Sequence, residues 1–251
     1  MKLHKGNKKE NSYRNLAVTT SWDDGSVSDI KLSNLLEKYS LKATFYVTKS
    51  YSYLERPLTS EEIIELGRRH EIGAHTLIHP DLDKISIESA ESEILGSKEY
   101  LENCLDREIK MFCYPRGRYT DEIKSIVKKA GFSGARTCNH GDFGILNDPY
   151  EWQITLHASN GSPLMTVRIW RMNHIPIRSL IDWEIRAKLL FDLALEKGGV
   201  YHLWGHSSEI ENKDEWAKLE RVFAYISGRE GVNYLSNSEC LEGVLGCRYE
   251  K

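Results

Sequence analysis

The sequence predicts a parallel α/β barrel in a single domain, and three observations carry that prediction. Apolar, β-type runs alternate with amphipathic helical stretches, the pattern of βαβ units. Roughly seven such units fit into the 251 residues, more than a small open sheet uses. No linker, shift in composition, fixed-period repeat or low-complexity tract divides the chain.

Taken in order, residues 1–14 are polar and are expected to form a flexible arm, leaving 15–251 as the folded domain. Residues 16–21 are an apolar strand ending in Asp23-Asp24-Gly25. Ser26-Val27-Ser28-Asp29 has the form of a capping box and opens a helix with Ile30, Leu35, Leu36 and Tyr39 on one face. Ala43–Val47 is a second strand, and Thr59 with Glu62 caps a helix ending near Gly67. Glu71–Ala74 is a third strand, followed by a helix over 86–104 and a fourth strand over 109–114. Thr120 caps a helix bearing Ile123, Ile126 and Val127, with Gly131 as its C′ residue, before a fifth strand over 132–137. The stretch 138–176, rich in Gly, Asn and Pro, reads as loops with one or two strands, from apolar pieces at 153–157 and 164–170. A helix over 178–198 carries Ile181, Ile185, Leu189 and Leu193 as a stripe and ends at Gly198-Gly199. A strand over 200–204, a helix around Trp216–Ile226 and a last strand over 232–235 complete the pattern.

Composition narrows the function classes. The net charge of −3, with basic residues spread along the chain, speaks against nucleic acid or a membrane surface as partner. No run approaches the ~18 apolar residues of a membrane span. The basic start Met1–Lys9 is not followed by the apolar core of a secretory signal, so a cytoplasmic location is expected. Five cysteines without a Cys-x-x-Cys pair agree with reduced thiols there.

The chemistry-bearing residues cluster just after predicted strands, where α/β barrels place their active sites. Asp23 and Asp24 are adjacent like charges, which repel unless a cation sits beside them; the plain alternative is an Asx turn. His75 and His79, at i and i+4, are expected to converge on one side of a helical turn and share a metal with Asp24. Phe112-Cys113-Tyr114-Pro115-Arg116-Gly117 is either a simple turn or one that aims a backbone N–H into a site. Of His202 and His206, the first falls inside its strand and reads as structural, the second past the strand end and reads as functional. Trp22, Tyr114, Trp152 and Trp204 are aromatic candidates for stacking on sugar or for plain core. Two imidazoles and one carboxylate leave coordination positions open on a divalent metal, with Zn2+ the first choice. Such a metal would lower the pKa of bound water and polarise a carbonyl. Asp23 is then placed as general base and His206 as general acid.

In this order the motifs resemble those of the polysaccharide deacetylase family, the NodB-homology domain enzymes also called carbohydrate esterase family 4. Ser21-Trp22-Asp23-Asp24-Gly25 is similar to the family's Thr-Phe-Asp-Asp-Gly, His75-x-x-x-His79-Pro80 to its histidine motif, and Cys113-Tyr114-Pro115-Arg116-Gly117 to its Arg-x-Pro-x-Gly. The resemblance implies a distorted (β/α)7 barrel and an amino-sugar-containing carbohydrate substrate losing an N-acetyl or N-formyl group. It also implies the base at Asp23, the metal at Asp24, His75 and His79, an oxyanion contact from the Arg116 N–H, an acyl pocket wall at Leu203 and the acid at His206. The chain departs from the pattern in three places. Cys113 stands where many members carry an Arg that orients the base, leaving Arg116, Arg118 or Arg136 to supply that charge. The Asp-and-Trp motif that orients the acid has only Asp148 to Trp152 and Asp182-Trp183 as candidates. Leu203-Trp204-Gly205-His206 is one residue longer than the usual Leu-x-His. A catalytically impaired carbohydrate-binding protein is the second reading. A glycosidase is disfavoured, since its two carboxylates must stand at least ~5 Å apart across a bond.

Overall fold

The computed structural model describes residues 16–140, 143, 148–160 and 163–249. The predicted arm at 1–14 lies outside them. Among the described residues, nine strands form one sheet in which every pairing is parallel. They are β1 (Leu16–Asp24), β2 (Ala43–Val47), β3 (Glu71–Ala74), β4 (Met111–Cys113), β5 (Gly134–His140), β6 (Trp152–Ile154), β7 (Leu156–His157), β8 (Gly199–Gly205) and β9 (Val232–Tyr234). The order is β6-β5-β4-β3-β2-β1-β8-β7, with β9 beside the first residues of β1. Strands β6 and β7 are successive parts of one segment interrupted at Thr155, so the sheet closes on itself. Thr155 makes that join: its N–H donates to His202 C=O at 3.0 Å and its Oγ1 accepts the His202 N–H at 3.0 Å. Counting Trp152–His157 once, the ring has seven staves (β1 to β5, β6–β7 and β8), a distorted (β/α)7 barrel. Among the described residues no helix is long and apolar enough to cross a membrane.

Strand alternation sorts side chains into two layers. Along β1, Val18 and Trp22 face outward, and Trp22 meets Phe223 edge-on. Thr19, Ser21 and Asp23 face the barrel axis and bond in turn to Asn237, His202 and Arg136. Tyr46, Met111, Cys113, Trp152 and Val200 fill the rest of the interior. The outer layer is covered by α1 (Asp29–Lys38), α2 (Ser60–Gly67), α3 (Ile87–Leu105), α4 (Asp121–Lys129), α5 (Pro163–Asn173), α6 (Trp183–Lys197), α7 (Ser207–Asn212) and α8 (Trp216–Ile226). A ninth helix, α9 (Asn237–Tyr249), closes the floor. There Asn237 takes the Thr19 hydroxyl, donates to Tyr46 Oη and passes its own N–H to Thr44.

The Thr59/Glu62 capping box forms in both directions. Thr120 caps α4, and Gly131 beyond it has the left-handed φ of 84° that a C′ residue needs. Other expectations are corrected. Ser28 already has helical torsions and caps nothing; instead Ser26 Oγ accepts its N–H, and Asp29 is buried. The apolar piece at 164–170 is part of helix α5, not a strand. The 178–198 region splits into a 3-10 turn and α6. The face that α6 buries is Trp183, Ala187, Leu190, Phe191 and Ala194, while Ile181 is 79% exposed.

Candidate active site

The site lies at the C-terminal rim of the barrel, in a cavity of about 520 Å³ whose lining includes Asp23, Asp24, His75, His79, Trp204 and His206. Consecutive strand residues normally face opposite ways, so two adjacent aspartates could not serve one site from a regular strand. Asp24 breaks the alternation with a left-handed φ of 83°, and its C=O is pinned by Thr48, whose hydroxyl donates at 2.8 Å. Gly25 follows at φ 75°, where a Cβ would lie 2.8 Å from Val47 Cγ1, so only glycine fits the turn.

Asp24 Oδ1 stands 3.7 Å from His75 Nε2 and 3.6 Å from His79 Nε2. The oxygen is buried and makes no hydrogen bond. Tetrahedral ligands at 2.0–2.2 Å from a metal are separated by about 3.4 Å, so the three atoms fit a divalent cation. His75 is prepared for it. Its Nδ1–H donates to Cys113 C=O at 2.7 Å, which leaves the Nε2 lone pair facing Asp24. Burial lowers the pKa of His75 to about 3, and burial with Arg116 nearby lowers that of His79 to about 4. Both rings are neutral, as ligands must be. Burial also pushes Asp24 up to about 6, against the pull of His206.

The two histidines do not converge on a helical turn. Thr76 and His79 both adopt left-handed φ, at 66° and 58°. Glu93 of α3 holds the loop by accepting the Leu77 and Ile78 N–H groups at 2.8 and 3.0 Å. Tyr51 packs on the His79 ring at 4.3 Å.

Asp23 is tuned from across the barrel interior. Arg136 of β5, fully buried, pairs with Asp23 Oδ2 and donates to Cys113 Sγ at 2.8 Å. Its guanidinium lies between Trp204, 4.6 Å away, and Tyr46, 5.3 Å away. Burial raises the Asp23 pKa, but Arg136, then His75 and His206, outweigh it and hold the carboxyl at about 2. Asp23 Oδ1 has no hydrogen bond. Arg136 is thus the cation beside Asp23, where Cys113 supplies none. Arg116 and Arg118 instead turn to Asp81.

His206 Nε2 lies 3.9 Å from Asp24 Oδ2, and Nδ1 lies 3.3 Å from Glu209 Oε1 in the first turn of α7. Burial disfavours the imidazolium, but Glu209 and the two aspartates prevail and raise its pKa to about 9. Glu209, which the sequence did not single out, is thus the carboxylate beside His206 Nδ1, and neither Asp148 nor Asp182 is. Asp148 and Asp182 cap other elements, the 3-10 turn at 149–151 and α6. His202 is structural: Nδ1–H donates to Gln153 C=O at 3.3 Å and Nε2 accepts from Ser21 Oγ at 2.8 Å.

Two predicted residues are not brought to the cavity. Leu203 and Tyr114 lie in the outer core between strands and helices. Tyr114 stacks on Tyr119 at 4.5 Å and donates to Tyr150 C=O. For Leu203 the reason is alternation, since its neighbours His202 and Trp204 take the inward positions. Arg116 does line the cavity, on a left-handed turn with φ 55°. Trp204 lines it as well.

The family model for polysaccharide deacetylase matches residues 10–135, half of the chain. The chain belongs to the polysaccharide deacetylase family. Among the relatives of this deacetylase-family chain is YxkH of Bacillus subtilis (strain 168), a polysaccharide deacetylase by name. It is 29% identical over 127 residues, 49% of this chain and 45% of that one. The chitooligosaccharide deacetylase of Sinorhizobium fredii is 25% identical over 120 residues, 47% of this chain and 54% of that one. The chain thus spans about half the length of the curated relatives it matches. A solved structure from Mycobacterium smegmatis, also named as a polysaccharide deacetylase, covers 95% of this chain and 93% of its own at a TM-score of 0.67. At 15% identity that likeness shows the shared fold.

Proposed function

We propose that the protein is a metal-dependent deacetylase that hydrolyses the N-acetyl, or N-formyl, amide of an amino sugar in a glycan or glycan precursor. The observation that carries this reading is one cavity holding Asp24, His75 and His79 at metal-ligand spacing, with Asp23 and His206 beside them. Family membership and the chitooligosaccharide deacetylase relative support the substrate class. Asp24 Oδ1 and the Nε2 atoms of His75 and His79 would hold the cation, which we assign as Zn2+ from its mixed imidazole and carboxylate donors. When bound, such an ion supplies water activation and carbonyl polarisation.

The protein's own groups do the rest. Asp23 Oδ1, free of hydrogen bonds and on an ionised carboxylate, accepts the proton of the attacking water. The Arg116 N–H, on the turn at the cavity wall, is the donor for the developing oxyanion. His206, held by Glu209, gives a proton to the departing amine. Trp204 provides an apolar wall.

The test is acetate or formate release from a panel of N-acylated mono-, oligo- and nucleotide-linked sugars. Release should follow bound zinc at one equivalent, stop with a strong chelator, and fall at least about 100-fold in Asp23→Asn, the scale of a lost general base. Absence of release across the panel by zinc-loaded protein defeats the reading. Cys113 in place of an arginine favours the second reading, a catalytically impaired carbohydrate binder, and the Arg136 contact to Asp23 weighs against it. Sugar binding unchanged by Asp23→Asn, with no turnover, would decide for it.

A further inference from the structure

Behind the general acid stands a second set of donors. His157 Nε2 lies 4.0 Å from Glu209 Oε2, and His206 Nδ1 lies 3.3 Å from Glu209 Oε1. One ligand atom from each of the three residues falls within 4.8 Å of the other two. Both nitrogens are buried; His157 Nε2 makes no hydrogen bond, and His206 Nδ1 has only its ion pair with Glu209. The opposite edge of His157 is fixed, with Nδ1 2.8 Å from Ser159 Oγ, and its face packs on Trp204 at 4.4 Å. In the tautomer with Nδ1–H on the serine oxygen, the Nε2 lone pair faces Glu209 and is free to take a metal; in the other, Nε2–H faces the carboxylate and is the proton a metal would displace to solvent. Lys213, 3.2 Å from Glu209 Oε2, is the competing cation, and it lies on the exposed side.

We propose that His157, His206 and Glu209 form a second, inhibitory divalent-cation site whose preferred ion is Zn2+. Two imidazoles and a carboxylate within 4.8 Å of one another need to close their separations by up to about 1.4 Å, shared among three side chains, to reach the ~3.4 Å of tetrahedral ligands. The donor set lacks a buried carboxylate and must displace Lys213, so it binds more weakly than the Asp24 set. Coordination replaces the proton on His206 Nδ1 with the metal. The ring then keeps only its Nε2–H, and losing that proton would leave an imidazolate, so the acid is disabled. Excess zinc would thus switch off the activity that the first equivalent switches on. The inhibitory part rests on the proposed function; the binding part does not.

The experiment titrates metal-free full-length protein with Zn2+ by calorimetry and counts bound metal, with Co2+ absorption as a spectroscopic check of tetrahedral geometry. Wild type should take two equivalents, the second at least tenfold weaker. His157→Gln should take one, with the first unchanged, and Glu209→Gln should also lose the second. Acetate release should fall in wild type as the second equivalent binds and hold level in His157→Gln. Saturation of wild type at one equivalent, or a second equivalent retained by both variants, overturns the site. Two equivalents in wild type and one in each variant, without acetate release at any zinc level, would leave the site standing and defeat the deacetylase reading.

Discussion

At the scale of single residues, the site depends on two partners that reach it from unexpected places. Arg136 was visible as an anomaly: a cation in the strand-like run Phe132–Thr137 has to find an anion inside the barrel. Sequence alone could not choose it over Arg116 and Arg118, because that choice depends on which strand lies beside β4. Glu209 carried a fainter signal, an acid one turn beyond His206, legible only once a helix was known to start at Ser207. Removing Arg136 leaves the Asp23 charge buried without its partner, so Arg136→Met should cost roughly 3–5 kcal/mol of unfolding free energy. Adding Asp23→Asn should restore part of that loss. Urea unfolding of the four proteins of this double-mutant cycle measures the coupling, and strictly additive costs would refute it. If His206 is the acid proposed above, Glu209→Gln should lower kcat more than KM, because it weakens the hold on that imidazole.

At the scale of elements, the regular barrel was legible and its irregular closure was not. Strands β2 and β3 coincide with the runs read from sequence: β2 is a short β-branched and aromatic run, and β3 follows a helix whose cap and end are clear. The region 138–176 was harder. Its strands are two and three residues long, too short for alternation to show, and helix α5 exposes Leu164 and Val167. Tyr114 and Leu203 were misplaced because a motif gives the position along a strand end but not the direction of the side chain. The histidine loop exemplifies support from a distant element. Glu93→Ala would strip two N–H groups of their acceptor and release His79. Zinc affinity should fall about 10–100-fold, the usual cost of losing such a support, with α3 still folded by circular dichroism. An unchanged zinc dissociation constant would show that the loop holds itself.

At the scale of the whole molecule, buried histidines couple stability to acidity. Burial lowers the pKa of both His70, against Phe45, and His140, on Thr155 C=O, to about 4. In the unfolded chain they titrate near 6.5. Between those values the unfolded state takes up protons that the folded state refuses, so stability falls as pH drops from about 6.5 to about 4. Each histidine is worth roughly 3 kcal/mol over that window. Urea midpoints at pH 7, 5.5 and 4.5 should decline accordingly, and His70→Leu should flatten the slope; a pH-independent midpoint would contradict the assignment. The strand that ends in the two aspartates also has a consequence in time. Strand β1 pairs with β2, but also with β8 and β9, more than 180 residues downstream. During synthesis the first strand must therefore wait, with its β8 and β9 partners unmade, until nearly the whole chain has emerged. Contacts of such separation slow folding and leave strand edges open to misassociation meanwhile. The nascent protein is thus expected to need chaperone cover longer than its size alone suggests, and Asp24 can meet its histidines well before the ring around them is closed.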